Sequence, residues 1–222
     1  VVLPCALTVL VHWLLWWFGG WFLAMLWSLV VLYATLGFRR FSHHFSGIRD
    51  ALSTGDDDLA RELLRQWQGD LEPNMPRSEI VRHVIEHSSI SAHRHVFGVI
   101  AWFSVLAAMG LGPAGAVSFR LSALLSTDWA ASSDSSQLDA ANSSPALQEV
   151  TALAWRQVDW VPARMTGLSF AVVGNFEDAV DAWRQDAQHF PNANDGVVMA
   201  ATAGAINVRL GGVGLRPASK EA

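Results

Sequence analysis

The chain has 222 residues, of which 51% are hydrophobic and 16% charged, and its formal net charge is −5. An acidic chain with an isoelectric point near 5.9 lacks the basic surface that nucleic-acid binding requires, so we expect neither DNA nor RNA as a partner. The single cysteine, Cys5, excludes an intrachain disulfide and a zinc site built on cysteines.

The first apolar block predicts a membrane-spanning hairpin. No formal charge occurs from Val1 to Phe38, and His12 is the only strongly polar side chain there. As helices, residues 1–18 and 21–38 would each extend about 27 Å, close to the hydrocarbon thickness of a thin bilayer. Gly19 and Gly20 would then form the turn. One long tilted or kinked helix is the alternative.

Basic residues after this block predict its orientation. Arg39, Arg40 and Arg49 lie just beyond the apolar end, and such residues are retained on the cytoplasmic side of a membrane. We therefore expect residues 39–95 to form cytoplasmic helices of a multi-pass protein of the bacterial inner membrane. Six tryptophans within or beside the apolar segments suit interfacial belts: Trp13, Trp16, Trp17, Trp21, Trp27 and Trp102.

The segment "STGDDDLARELLRQWQGD" predicts a short amphipathic helix with Ser53 or Thr54 near its N-cap. Its three adjacent aspartates would lie in the first turn, where the positive end of the helix dipole favours them without a metal ion. Farther on, His83 and His87 have the i, i+4 spacing of metal ligands, but no third ligand at motif spacing accompanies them.

The second half of the chain predicts further membrane-associated helices. We expect a transmembrane helix over 96–125, an exposed loop over the Ser/Ala/Asp/Asn-rich residues 126–145, and helical, membrane-associated structure over 146–222. The stretch "GLGPAGAV" would either line a cavity or let helices pack closely through small residues. The predicted fold is all-α: a polytopic helical membrane protein with short amphipathic cytoplasmic helices and possible re-entrant segments.

Four sequence blocks carry a family resemblance. They are "IRDALSTGDDDLARELLRQWQGD", "HRHVFGVIAWF" followed by "GPAGAVSFR", "DWVPARMTG", and "FPNANDGVVMAATAGAINVRLGG". Their order and spacing resemble the CobD/CbiB family of integral membrane proteins in cobalamin biosynthesis. The similarity covers residues 48–212.

The resemblance implies an adenosylcobinamide-phosphate synthase, which uses ATP and magnesium to join adenosylcobyric acid to aminopropanol or its phosphate through an amide bond. The implied partners are the lipid bilayer, this corrinoid, and a second copy or other cobalamin-pathway enzymes. The candidate catalytic residues are Glu86, His93, Arg94, His95 and Asp159. The candidate substrate-binding residues are Arg164, Asn192, Asn194, Asp195 and Arg209. In these sets the arginines would clamp anions, and Glu86 or Asp159 would hold magnesium or accept a proton.

The chain departs from the family pattern in its acidic motifs. Where the synthases carry a motif of the type Glu-Asn-Thr-Xaa-Asp, this sequence reads "HRHVF", residues 93–97, and the glutamate after the "PNA" turn is missing. This loss predicts weaker magnesium binding. AmpE-like inner-membrane proteins, associated with β-lactamase induction, keep "DWVP.R" while losing the same acids. The alternative function is therefore a regulatory or sensor protein without ligase activity, in which "HRH" is a basic collar beside a span.

Overall fold

The computed structural model describes residues 1–69, 75–135 and 145–211, and these ranges contain helices and no strand. The α-helices are α1 (Val2–Thr35), α2 (Phe38–Thr54), α3 (Asp57–Gln68), α4 (Arg77–Ala92), α5 (Gly98–Ala108), α6 (Ala114–Ser135), α7 (Pro145–Val158), α8 (Trp160–Val173), α9 (Phe176–Asp186) and α10 (Ala193–Ala205). A π-helix, His93–Phe97, joins α4 to α5, and a 3₁₀-helix, Ala187–His189, follows α9. The predicted all-α class is confirmed.

The described residues form two compact units. Residues 1–36 and 94–165 make up the first unit, and residues 37–93 and 166–211 belong to the second. Among the described residues, two stretches are long and apolar enough, by length and composition, to cross a membrane: Val2–Thr35, which Gly20 interrupts, and Arg77–Ala108.

Helix α1 of the first unit is a hairpin of two antiparallel arms. Gly20 interrupts the helical backbone with φ 74° and ψ −179°. The His12 Nδ1 and Ser28 Oγ atoms are 3.2 Å apart, although 16 residues of straight helix would separate them by about 24 Å. The chain therefore reverses at Gly20, and the arms, residues 2–19 and 21–35, extend about 27 and 22 Å.

A second pair of antiparallel helices, α5 and α6, divides the segment 96–125 that the sequence predicts as one helix. The turn between them contains Gly110 and Gly112, whose φ angles are 78° and 58°. A methyl group at Gly115 would lie 1.9 Å from the carbonyl oxygen of Trp102, so the two backbones touch there. The small residues of this stretch thus serve close helix packing, one of the two sequence interpretations. Helix α6 also extends through the first part of the predicted loop, to Ser135, and residues 136–144 of that loop lie outside the described residues.

Aromatic side chains bind α7 to this helix pair. The rings of Phe119 and Trp155 lie 5.4 Å apart between centroids, and Phe119 is fully buried. The Trp102 indole nitrogen donates a 2.9 Å hydrogen bond to the Val158 carbonyl oxygen. These contacts hold the end of α7, and hence the start of the "DWVPAR" block, against α5 and α6.

The second unit begins with a three-helix cluster of α2, α3 and α4. Its buried apolar residues include Ile48, Leu64 and Ile80. The N-cap of α3 is not Ser53 or Thr54, as the sequence suggests, but Asp56, whose side chain accepts a 3.0 Å bond from the Leu59 amide. Helix α2 continues to Thr54, so the two hydroxyls lie in its last turn and bond back to main-chain oxygens there.

Helix α10 forms the interior of the rest of this unit, because every residue from Gly196 to Thr202 is buried. Glycines bring its backbone against its neighbours. A methyl group at Gly204 would lie 2.3 Å from the Asp178 carbonyl oxygen of α9. A methyl group at Gly167 of α8 would contact the side chains of Val197 and Ala201 of α10 at 3.3 Å. Helices α8 and α10 have about 14 and 13 residues, near 20 Å each, so neither spans a bilayer core by itself.

Candidate functional site

The second unit contains a cleft of about 680 Å³. Its walls come from α4, α9 and α10, together with the short segment 207–210 that follows α10. This volume is in the range of small-molecule sites. The charged side chains that line it are Glu79, Arg82, Asp178, Asp181, Asp186 and Arg209.

On the α4 wall, Arg82 is held between two carboxylates. It donates to Glu79 Oε2 through Nε at 2.8 Å, and to Glu86 Oε1 through Nη1 at 3.0 Å. The side chains of Arg82 and Glu86 are only 19% and 16% exposed, so water screens the Arg82–Glu86 pair less than a surface pair. The positive charge of Arg82 is thus largely compensated within the protein.

Glu86 also joins α4 to the segment after α10. Its Oε1 accepts a 2.7 Å hydrogen bond from the Gly211 main-chain nitrogen. The segment leaves α10 through Asn207, which has the left-handed φ of 53°, and Leu210 packs into the protein with 8% exposure. Between these two fixed points lies Arg209, which lines the cleft and is exposed. The sequence places this arginine in an apolar stretch, but the helix ends before it.

The α9 wall is acidic. Asp178, Asp181 and Asp186 line the cleft from this helix, and all three are exposed. Asp178 also accepts a 2.6 Å bond from the side-chain amide of Asn175, the N-cap of α9. Within the described ranges no ion pair connects Arg209 to a carboxylate. Opposite charges therefore line the cleft without neutralising each other across it.

The "DWVPAR" block lies in the first unit, where α7 meets α8. Asp159 is fully buried, and its main-chain nitrogen bonds to the Trp155 oxygen at 2.9 Å. Arg164 donates to the Trp160 carbonyl oxygen at 3.0 Å, and its guanidinium carbon lies 3.9 Å from the centre of the Trp160 ring. Burial lowers the pKa of the Arg164 guanidinium, and the charge of Asp159 partly opposes that shift. A cation–π contact thus orients this arginine.

The "HRH" cluster does not form an exposed collar as a whole. His93 is completely buried in the second unit, with its Nδ1 atom 2.9 Å from the Thr166 Oγ1 atom. Arg94 and His95 follow within the π-helix and are partly exposed. Such wide turns inside α-helices are rare and occur often at functional sites. His93 is a hydrogen-bonded core residue, which the collar interpretation does not explain.

The "PNAND" turn forms the start of α10. Asn192 is the N-cap, and its side chain accepts a 3.0 Å bond from the Asn194 amide. Asn194 itself is 4% exposed, and Asp195 lies in the first helical turn. Capping explains the type of residue at position 192 without a ligand.

Two of the ten candidate site residues, Glu86 and Arg209, are connected in the second unit. The connection is the hydrogen bond from Gly211, two residues after Arg209, to Glu86. Sequence reasoning missed Arg82 and the α9 carboxylates. The Glu79, Arg82 and Glu86 spacing of i, i+3 and i+7 does mark one helix face, but nothing local indicates that α9 lies opposite. His87, the other half of the i, i+4 histidine pair, packs against Trp67 with 4.4 Å between ring centroids.

The residues implied for magnesium do not assemble a metal site in the described part of the chain. No group of three His, Cys, Asp or Glu side chains there is arranged to hold an ion. Magnesium bound chiefly through nucleotide phosphates needs fewer protein ligands.

The described residues define a class: a helical protein with stretches long and apolar enough to cross a membrane and a charged cleft lined by α4, α9 and α10. The family model for the "CobD/Cbib protein" matches residues 150–221. These residues include all of α8, α9 and α10. The matched part thus contains the "DWVPAR" block, the α9 wall of the cleft and Arg209.

Curated relatives match over most of the chain. It is 30% identical over 182 residues to the "Cobalamin biosynthesis protein CobD" of Chromobacterium violaceum, covering 82% of this chain and 54% of that protein. The protein of the same name from Stutzerimonas stutzeri is 30% identical over 192 residues, with 85% and 58% coverage. A shorter match, 47% over 62 residues, is to the Mycobacterium tuberculosis protein, with 24% and 20% coverage.

The chain belongs to the CobD/CbiB family. It spans little more than half the length of the first two relatives named above. No solved structure matches it.

Proposed function

We propose that the chain works in a bacterial inner membrane as an adenosylcobinamide-phosphate-synthase-like ligase, forming an amide bond between adenosylcobyric acid and aminopropanol or its phosphate. The observation that carries the proposal is the position of the family-matching C-terminal block. It folds as α10 and the following segment, and this presents Arg209 at a cleft that also contains carboxylates. The relatives' shared name supports the pathway.

Exposed apolar side chains support the membrane location. On α1 the side chains of Trp17 and Phe18 are 81% and 82% exposed, and many others along both arms are exposed as well. Contiguous apolar surface of this extent requires an apolar environment. Lipid around the α1 hairpin would supply that environment, with the Gly20 turn at one face of the bilayer.

The cleft offers groups that amide formation requires. The attacking amine must be bound, must lose a proton, and must face a carboxyl carbon that a phosphoryl group from ATP has activated. The amide C–N bond then forms as the acyl C–O bond breaks and phosphate leaves. Carboxylates on α9 attract an ammonium group, and Asp181 is exposed to accept its proton. Arg209 would bind an anionic oxygen of a substrate. Glu86 is already engaged by Arg82 and Gly211, which makes it a poor candidate for the base.

The direct test is complementation of a bacterium that lacks its adenosylcobinamide-phosphate synthase, grown on cobyric acid as the corrinoid source. We expect the protein to restore cobalamin-dependent growth. The variants Arg209→Ala and Arg164→Ala should lose it, because each removes a cation proposed to bind anionic substrate groups. Arg49→Ala is the matched control, since this exposed arginine on α2 pairs with the neighbouring Asp50 outside the cleft.

Expression in the membrane must be verified for every variant. If both arginine variants still restored growth, the ligase activity would depend neither on Arg209 in the cleft nor on Arg164 in the "DWVPAR" block. No growth with the verified wild-type protein would refute the ligase and favour the AmpE-like regulatory function. That outcome would then be pursued by measuring β-lactamase induction in a deletion strain.

A further inference from the structure

The contacts around Glu86 point to a role for this residue that is different from acid–base chemistry. We propose that Glu86 is a positioning residue: its carboxylate fastens the segment Asn207–Gly211 to α4 and so holds Arg209 at the cleft, where the guanidinium receives the anionic group of a small zwitterionic ligand. The inference rests on the proposed function for the identity of the ligand, an amino alcohol phosphate.

The fastening is built from charge-assisted hydrogen bonds. One Glu86 oxygen accepts from both the Gly211 nitrogen, at 2.7 Å, and Arg82 Nη1, at 3.0 Å. Bonds to an ionised acceptor are stronger than neutral ones, and the low exposure of both side chains strengthens them further. Arg82 is in turn fixed by Glu79, so the acceptor itself is rigidly placed.

The segment is anchored at both ends. At its start, the Val208 nitrogen bonds to the Ala203 oxygen at 2.9 Å and closes the C-terminus of α10. At its end lie the buried side chain of Leu210 and the Gly211 bond to Glu86. Arg209 stands between these anchors with its side chain in the cleft. Loss of the Glu86 bond would leave only Leu210 to hold this end of the segment and would let the guanidinium move away.

The arrangement of charge suits a zwitterionic ligand. Arg82 is compensated by two glutamates, which leaves Arg209 as the cation on one wall and the α9 aspartates as the anions on another. A pure anion would be repelled by the aspartates, and a pure cation by Arg209. A ligand with an ammonium group and a phosphate group satisfies both walls at once.

The experiment is binding by isothermal titration to the purified protein in detergent, without ATP or corrinoid, using two probes: 1-amino-2-propanol O-phosphate and 1-amino-2-propanol. We expect the wild-type protein to prefer the phosphate probe. Arg209→Ala should lose roughly tenfold to a hundredfold of that preference, and Glu86→Ala should lose a similar factor. The double variant should lose no more than Arg209→Ala, because Glu86 acts through Arg209.

Two further variants separate positioning from folding. Glu86→Gln keeps an oxygen that accepts from Gly211 and should retain most of the preference. Glu62→Ala, another helical glutamate paired with an arginine, lies outside the cleft and should change nothing. Equal weakening of both probes by Glu86→Ala, or additive losses in the double variant, would overturn the positioning role. Absence of phosphate preference in the wild type would overturn the ligand assignment. Binding without complementation would refute only the ligase.

Discussion

Gly115 lies where α6 touches the backbone of α5, and its replacement by alanine tests how tightly the first unit is packed. The added methyl group would lie 1.9 Å from the Trp102 oxygen and 2.4 Å from its carbonyl carbon, whereas ordinary contact begins near 3.4 Å. The helices must therefore separate by about 1.5 Å, since backbone cannot rotate away as a flexible side chain can. The separation would also loosen the Trp102 contact with α7.

The expected cost is set by two opposing effects. Overpacking of this kind costs about 1–3 kcal/mol or more, whereas alanine gains about 1 kcal/mol over glycine in helix propensity. Because the clash involves main-chain atoms, we expect overpacking to win, with a net loss of about 2 kcal/mol and a fall of roughly 4–8 °C in Tm.

The assay is thermal unfolding of the purified protein in one detergent, followed by intrinsic fluorescence. Gly47→Ala on α2 is the matched control, because its methyl group would meet only Leu63 Cδ1, at an ordinary 3.6 Å. This control should raise Tm slightly through helix propensity. A Gly115→Ala protein as stable as the Gly47→Ala protein would refute the close contact of α5 and α6.

Other predictions concern the hairpin, the cap and the buried histidine. In the doubly substituted protein His12→Cys and Ser28→Cys, mild oxidation should form a disulfide detectable by mass spectrometry of peptides, whereas a straight helix would keep these positions about 24 Å apart. Asn192→Ala removes the N-cap of α10 and should cost about 1 kcal/mol, measured as a lower Tm. Thr166→Val removes the hydroxyl bonded to His93 and should cost about 1–3 kcal/mol. An unchanged melting curve would argue against that contact.

Local patterns predicted the helical elements because they depend on neighbours in the chain. The uncharged block and its pair of glycines predicted the α1 hairpin, because the lengths of the two arms follow from residue counts. The run of aspartates predicted the start of α3, and Thr54, one of the two residues expected near the cap, lies two positions before the observed cap at Asp56. The choice of Asp56 over Thr54 as the N-cap of α3 depends on the end of α2. Thr54 still belongs to α2, which stops at Gly55 with a left-handed φ of 80°.

The site depended on contacts that no local pattern encodes. Glu86 and Gly211 are 125 residues apart in the chain and share a hydrogen bond, and His93 is buried against Thr166, 73 residues away. Family resemblance pointed to Glu86 and Arg209 individually but not to their connection, nor to Arg82.

The sequence alone thus determined the helical class, the apolar hairpin and the family, because hydropathy, turn residues and motif order are properties of the linear chain. Only the tertiary structure decided which charged side chains line the cleft of the second unit, and that the Glu86 carboxylate is hydrogen-bonded to Arg82 and Gly211. The physical reason is that burial and hydrogen bonding are set by the packing of α4, α9 and α10, and this packing depends on glycines such as Gly204 that let the backbones meet.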